Sequence, residues 1–221
     1  MIPVVPSSPA LMSRSASPTF ANHRTLLLNA DYQPMGWPLE TLNGEATLHG
    51  LCLGRFKPVA MSDTYAHSPT TTLRLPSVVA LRDYVHPKAF YGIPSVSLYN
   101  LFIRDRGTCQ YTGRALRMGS PHRSDEATKD HVVPRANRGA DSWDNVVLAS
   151  SDINARKGRK ALHEFDHHLL THPWEPRGYD LLYIWLTDGT LAHLPAAWQE
   201  FLEPLRARPS PRVLRALERA A

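Results

Sequence analysis

The sequence predicts an α+β protein organised around one compact strand–loop–strand–helix unit. Three observations predict it. Thr128 to Val133 and Asn145 to Ala149 are short apolar-containing runs joined by a polar turn, and Ser150 or Ser151 can then cap a helix running through Lys160. Ahead of this unit, strand-length apolar runs surround a single loose helical pattern, which defines a small α+β unit at residues 23–95. Behind it, past Pro173, helical patterns return. The expected organisation is a disordered leader at 1–22, the α+β unit at 23–95, a core at 96–172, a helical extension at 173–205 and a frayed tail at 206–221.

The leader is rich in Ser and Pro and has no period. Thr25 to Asn29 reads as a short buried strand, since Asp31 and Pro34 close it with a turn. Leu39, Leu42, Ala46, Leu48, Leu51 and Leu53 recur at loose helical spacing, which predicts a helix over 39–53. Pro58 to Met61 and Thr72 to Leu75 suggest two short strands around a loop from Ser62 to Thr71, and Pro76 to Leu81 continues as an apolar segment. Ser97 to Arg106 fits a helix capped by Ser97 and ended by Gly107. Arg114 to Ala127 is polar and reads as a loop or hairpin. Ala161 to His172 is helix-prone and would bring His163, His167 and His168 near one face; further helices are expected at Gly178 to Leu186 and Pro195 to Leu205.

Bulk properties exclude several classes. At 221 residues the chain can bury a core without staples, and its two cysteines, Cys52 and Cys109, form no secreted framework, so a reducing, cytoplasmic setting is expected. No run approaches the roughly 20 apolar residues that span a bilayer. The net charge is +5, and its basic residues gather between Arg104 and Lys160, which favours phosphate contacts over a merely solvated face.

Chemistry concentrates in Thr128 to Lys160. Cleaving a phosphodiester needs a base for the attacking water, a cation for the charge that grows on phosphorus oxygens, and a group that orients the base. Asp130-His131-Val132-Val133-Pro134, Arg138-Gly139, Asp144-Asn145-Val146-Val147 and Asn154-Ala155-Arg156-Lys157-Gly158 together resemble the HNH endonucleases of bacteria and phages, which have the ββα-metal (His-Me finger) nuclease fold. That resemblance implies that Asp130 and Asn154 are metal ligands, that His131 is the general base acting on DNA, and that Asn145 ties down the loop so that His131 is oriented. One carboxylate and one amide suit a single hard ion, Mg²⁺ or Mn²⁺, better than zinc. Arg135, Arg138, Arg156, Lys157 and Lys160 are candidates to grip phosphates.

The resemblance extends upstream, through Asn100 to Tyr111 and, in the N-terminal unit, through Leu28 to Pro34 and Arg74 to Val78. It departs at one point. Where related chains place four zinc-binding cysteines, this one has Cys109, Thr112, Ser150 and Ile153, so no structural zinc is expected. Two other readings stay open: a catalytically silent nucleic-acid-binding or phage-assembly protein that keeps the fold, and a zinc hydrolase using the histidines of 163–172. One centre would nick a strand, whereas a homodimer could cut two.

Overall fold

A computed structural model describes residues 20–218, and the expected leader lies outside these except for a single 3₁₀ turn at Phe20–Asn22. The described residues form two compact units, one comprising those up to Gly92 with Gly189–Arg208, the other Ile93–Asp188 with those from Pro209. The overall class is α+β. Among the described residues no helix is long and apolar enough to cross a membrane.

The first unit is a four-stranded sheet. β1 (Arg24–Leu28) pairs antiparallel with β2 (Thr41–Asn43) and parallel with β4 (Thr72–Leu81), and β4 pairs antiparallel with β3 (Phe56–His67), giving the order β2-β1-β4-β3. Leu26, Leu28, Leu75, Val78 and Val79 are its buried apolar centre. The helix expected from 39 is confined to α1 (Gly44–Cys52) because the Asn43 carboxamide accepts the Ala46 N–H at 2.8 Å and sets the helix start there. Residues 41–43 therefore lie outside the helix and extend along β1.

The expected pair of short strands is a single long hairpin, and its loop is only 68–71. β3 is an edge strand that carries Ser62, Asp63, Thr64 and His67 in its second half, so Ser62 to His67 looks like a loop in sequence while Ser62 Oγ donates to the Leu75 carbonyl at 2.8 Å. A short helix α2 (Lys88–Tyr91) follows β4.

In the second unit, α3 (Leu98–Arg104) starts at Ser97, whose hydroxyl accepts the Asn100 N–H at 3.1 Å, and it ends in two residues with positive φ, Arg106 and Gly107. β5 (Ala127–His131) pairs antiparallel with β6 (Val146–Ser150), with Asp130 opposite Val147 and His131 opposite Val146. All five residues of β6 are buried, and α4 (Ser151–Lys157) follows it directly. The helix stops three residues short of Lys160 because Gly158 takes φ 52° and returns its N–H to the Asn154 carbonyl. Leu101, Cys109, Tyr111, Leu116, Trp143, Ile153 and Phe165 pack with the two strands into one core.

The helix expected over 161–172 is reduced to a 3₁₀ turn at Leu162–Glu164. Two tertiary demands override its local propensity. Phe165 is drawn into the core, and the Leu170 N–H donates to the Gln110 carbonyl at 2.8 Å. His163, His167 and His168 consequently share no helix face; His167 stacks on Phe165 with ring centroids 4.7 Å apart.

α5 (Gly178–Thr187) belongs to the second unit, and α6 (Ala196–Arg206) to the first, where the Trp198 indole N–H donates to the Ser77 carbonyl of β4 at 2.8 Å. The tail expected to fray from Arg206 instead holds α7 (Pro211–Glu218). Val213 is buried there, and the Ser210 hydroxyl just ahead of it bonds the Asp180 carboxylate.

Candidate active site

The site grows from the pairing of β5, β6 and α4. β5 alternates faces, so Asp130 turns inward, where it is 4% exposed, while His131 ends the strand with its side chain partly open. α4 docks against β5 through Asn154, whose amide group donates to the Thr128 hydroxyl at 3.1 Å and the Lys129 carbonyl at 3.2 Å. Among the described residues nothing bonds the Asn154 side-chain oxygen, the other end of this amide, on the residue that flanks the strand beside Asp130.

One helical turn after Asn154, Lys157 points at the same strand. It was expected to contact phosphate, but it is 1% exposed. Its ammonium lies 3.2 Å from Oδ1 and 3.1 Å from Oδ2 of Asp130 and donates to the His131 carbonyl at 2.6 Å. Tyr111 completes this pocket, donating its hydroxyl to Asp130 Oδ2 at 2.5 Å. Burial, and then the neighbouring Asp130 charge, push the Tyr111 phenol far above its ordinary range, so it serves as a permanent donor. Asp130 is thus a buried carboxylate with a cation and a phenol already on it.

Asn145 controls the loop between the strands. Its side-chain oxygen accepts the Val133 N–H at 2.8 Å, and its amide group donates to the carbonyls of Val133 at 3.1 Å and Ala140 at 2.8 Å. Gly139 is required for this closure, since a Cβ there would lie 1.7 Å from the Val133 carbonyl oxygen. An Asn145→Ala variant is expected to lose about 1–3 kcal/mol of stability in urea unfolding, because three backbone groups of the loop then depend on solvent.

The pinned loop delivers two groups to His131. Nε2 lies 3.1 Å from the Asp141 carboxylate and 3.2 Å from Nε of Arg135. These contacts are alternatives: a bare Nε2 accepts from Arg135, and a protonated Nε2 donates to Asp141. Lys129 also binds Asp141, at 2.9 Å. The Lys129 hydrogen bond, helped by the charges of Lys129, His131 and Arg135, outweighs the opposing effect of burial and holds the Asp141 carboxyl below the usual range.

The structure therefore gathers Asp130, Asn154 and Lys157 on the inner side of β5 and holds His131 at the strand end among loop residues. Of the other basic candidates, Arg135, Arg138, Arg156 and Lys160 are exposed. Arg104, counted with the basic cluster in the sequence, is buried: it pairs with Asp105 at 2.7 Å and donates to the carbonyls of Trp143 and Val146. Tyr111 and Asp141 carry no sequence signal that marks them, because neither has a fixed spacing to its partner.

The four positions compared with a zinc knuckle are partly together. Cys109, Ser150 and Ile153 are buried, with the Ser150 N–H 3.5 Å from the Cys109 sulfur, and Thr112 lies outside that core. Burial raises the Cys109 thiol, but hydrogen bonds from the Thr112 hydroxyl and the N–H groups of Ser150, Tyr111 and Thr112 outweigh it and lower the thiol overall. Among the described residues no group of three His, Cys, Asp or Glu side chains is placed to hold a metal ion, the histidines of 163–172 included. The oxygens of this site that could hold a metal are those of the Asp130 carboxylate, both contacted by Lys157, and of the Asn154 amide; a sparse oxygen set suits a largely hydrated Mg²⁺ or Mn²⁺.

Two family models match the chain: an HNH endonuclease-associated N-terminal domain over residues 25–89 and an HNH endonuclease domain over residues 109–162. Together they span just over half of its length, and the second covers β5, the pinned loop, β6 and α4. The chain belongs to the HNH endonuclease family. No curated protein and no solved structure matches it.

Proposed function

We propose that the protein is a metal-dependent endonuclease that hydrolyses DNA phosphodiester bonds. The observation that carries this reading is the docking of Asn154 onto β5 beside the buried Asp130, with His131 at the end of the same strand under a loop pinned by Asn145. A divalent ion held by Asp130 and Asn154 would stabilise the negative charge that gathers on the phosphoryl oxygens.

The chain's own residues account for the proton. His131 takes it from the attacking water, which needs a bare ring nitrogen. Before the water arrives Arg135 can donate to the bare Nε2; the water replaces that bond and passes its proton to Nε2, and the Asp141 carboxylate 3.1 Å away can then receive the new N–H. Asp141 and Arg135 are thus positioning residues that keep the ring in place through both states. Lys157 and Tyr111 hold the Asp130 carboxylate in one orientation. Exposed Arg135, Arg138, Arg156 and Lys160 supply the phosphate contacts. Lys157 is not among them.

A second reading has one specific observation in its favour. The ammonium on Asp130 leaves that carboxylate neutralised from within, as a silent nucleic-acid-binding protein that kept the fold could tolerate. Incubation with supercoiled plasmid separates the two. An endonuclease converts plasmid to nicked circles with Mg²⁺ or Mn²⁺ and stops in EDTA; absence of product with any divalent ion supports the silent reading. Linear product formed directly would point to paired centres. We further propose that the Cys109 corner holds no zinc, and about one tightly bound zinc per purified chain would contradict this.

A further inference from the structure

We infer that the first unit carries a binding surface for single-stranded DNA at one end of its sheet, built from Tyr32, Arg55, Lys57, Arg82, Tyr84 and Lys88. The inference rests on reading the chain as a protein that acts on DNA.

Topology brings Tyr32, Arg55, Lys57, Arg82 and Tyr84 together, and Lys88 follows three residues after Val85. β1 and β4 run parallel, so the segments that leave them, Asn29–Gln33 and Arg82–Val85, emerge at the same end of the sheet. β3 runs the other way and enters there, through Arg55 and Lys57. Three sets of bonds join the segments. The Asn29 side chain accepts the Val85 N–H at 3.0 Å and donates to the Val85 carbonyl at 2.7 Å. The Arg82 N–H donates to the Arg55 carbonyl at 3.1 Å. Lys57 Nζ sits 4.4 Å from the centre of the Tyr32 ring, reaching across from the strand on the far side of β4.

Two properties of this rim suit a single strand. Its cations are uncompensated: among the described residues Arg55, Lys57, Arg82 and Lys88 make no ion pair, whereas Arg74 farther along the same hairpin is paired with Asp63 at 2.7 Å. The two carboxylates on these segments, Asp31 and Asp83, are outnumbered by the cations and pair with none of them among the described residues; Asp31 accepts the Gln33 N–H within its own turn. Its aromatics are exposed: Tyr84 is 58% exposed and Tyr32, with Lys57 over one face of its ring, 43%. Every base presents a π-face, so exposed tyrosines beside unpaired cations can stack the bases of a strand and hold its backbone. The stacked bases of a duplex offer no such face.

The test is fluorescence anisotropy with the full chain, in EDTA, on a labelled single-stranded oligodeoxynucleotide and on the same sequence as a duplex. Tyr84→Ala should weaken single-strand binding roughly 5- to 20-fold and leave duplex binding nearly unchanged. Tyr84→Phe, which keeps the ring, should bind as wild type. The Lys57→Glu/Arg82→Glu pair should weaken single-strand binding and flatten its salt dependence, and Arg74→Ala should not. The inference is overturned if the wild type does not bind the single strand, or if either Tyr84→Ala or the charge-reversed pair binds it as wild type does. Such a result beside intact plasmid nicking removes the surface alone and leaves the nuclease reading standing. Loss of binding in the patch variants without nicking by wild type under any divalent ion removes the nuclease reading and keeps the surface.

Discussion

The His131→Ala variant is expected to fold like the wild type and to nick supercoiled plasmid about 10²–10⁴-fold more slowly, the usual worth of a positioned general base. Folding should survive because both partners of the ring, Arg135 and Asp141, belong to exposed positions of the loop, where solvent can replace the lost contact. The loop itself is held by Asn145 and not by the imidazole. Such a rate loss corresponds to about 3–5.5 kcal/mol of barrier, far beyond what one surface contact contributes to stability. Asp141→Asn should fall between the two, since the ring keeps Arg135 but loses the carboxylate that receives its protonated form. Initial rates of nicking, with circular dichroism melts as the control for folding, read both effects. Equal rates for wild type and His131→Ala would remove His131 from the chemistry.

The second large effect concerns stability. Lys157→Met is expected to cost about 3–5 kcal/mol, because it removes the cation from a carboxylate that is itself buried and leaves Tyr111 as its remaining side-chain donor. Met fills a similar length without charge, so little of the loss comes from an empty space. Adding Asp130→Asn should recover part of the loss, since a neutral amide needs no counter-charge. The same pair connects to the metal. If Asp130 holds a divalent ion, rising Mg²⁺ or Mn²⁺ should stabilise Lys157→Met more than the wild type, where the ammonium competes for the same oxygens. Urea unfolding across a metal series measures both. A loss below about 1 kcal/mol would mean that water reaches Asp130 freely.

How much of this could be read from the residues depended on whether the signal was local. The β5, β6, α4 sequence is legible because each part carries its own mark: Pro134 after the first strand, the apolar Val146 to Ala149 run and Ser150 before the helix; the helix end at Gly158 is hidden by the basic run that continues to Lys160. The class of the fold followed from the same marks. Lys157 was misread because its neighbours Arg156, Arg159 and Lys160 make it look like part of a solvated basic run. Only its place one turn after Asn154, on a helix face that packs against β5, shows that it is internal. Tyr111 reaches Asp130 across 19 residues of chain that include the irregular segment before β5, and no period connects such a pair. The Ala161 to His172 segment has the composition of a helix, but Phe165 and Leu170 are claimed by the core and by Gln110. In the first unit, Ser62 to His67 carries the polarity of an edge strand, which a pattern of apolar residues does not reveal.

The most direct test of the central claim is anomalous diffraction from crystals of the protein soaked in Mn²⁺. A single manganese peak within bonding reach of Asp130 and the Asn154 side-chain oxygen, with the Lys157 ammonium displaced from at least one Asp130 oxygen, is the expected result. Manganese bound elsewhere, or Lys157 still on both Asp130 oxygens with no peak beside them, would contradict the assignment of this pair as the metal-holding half of the site.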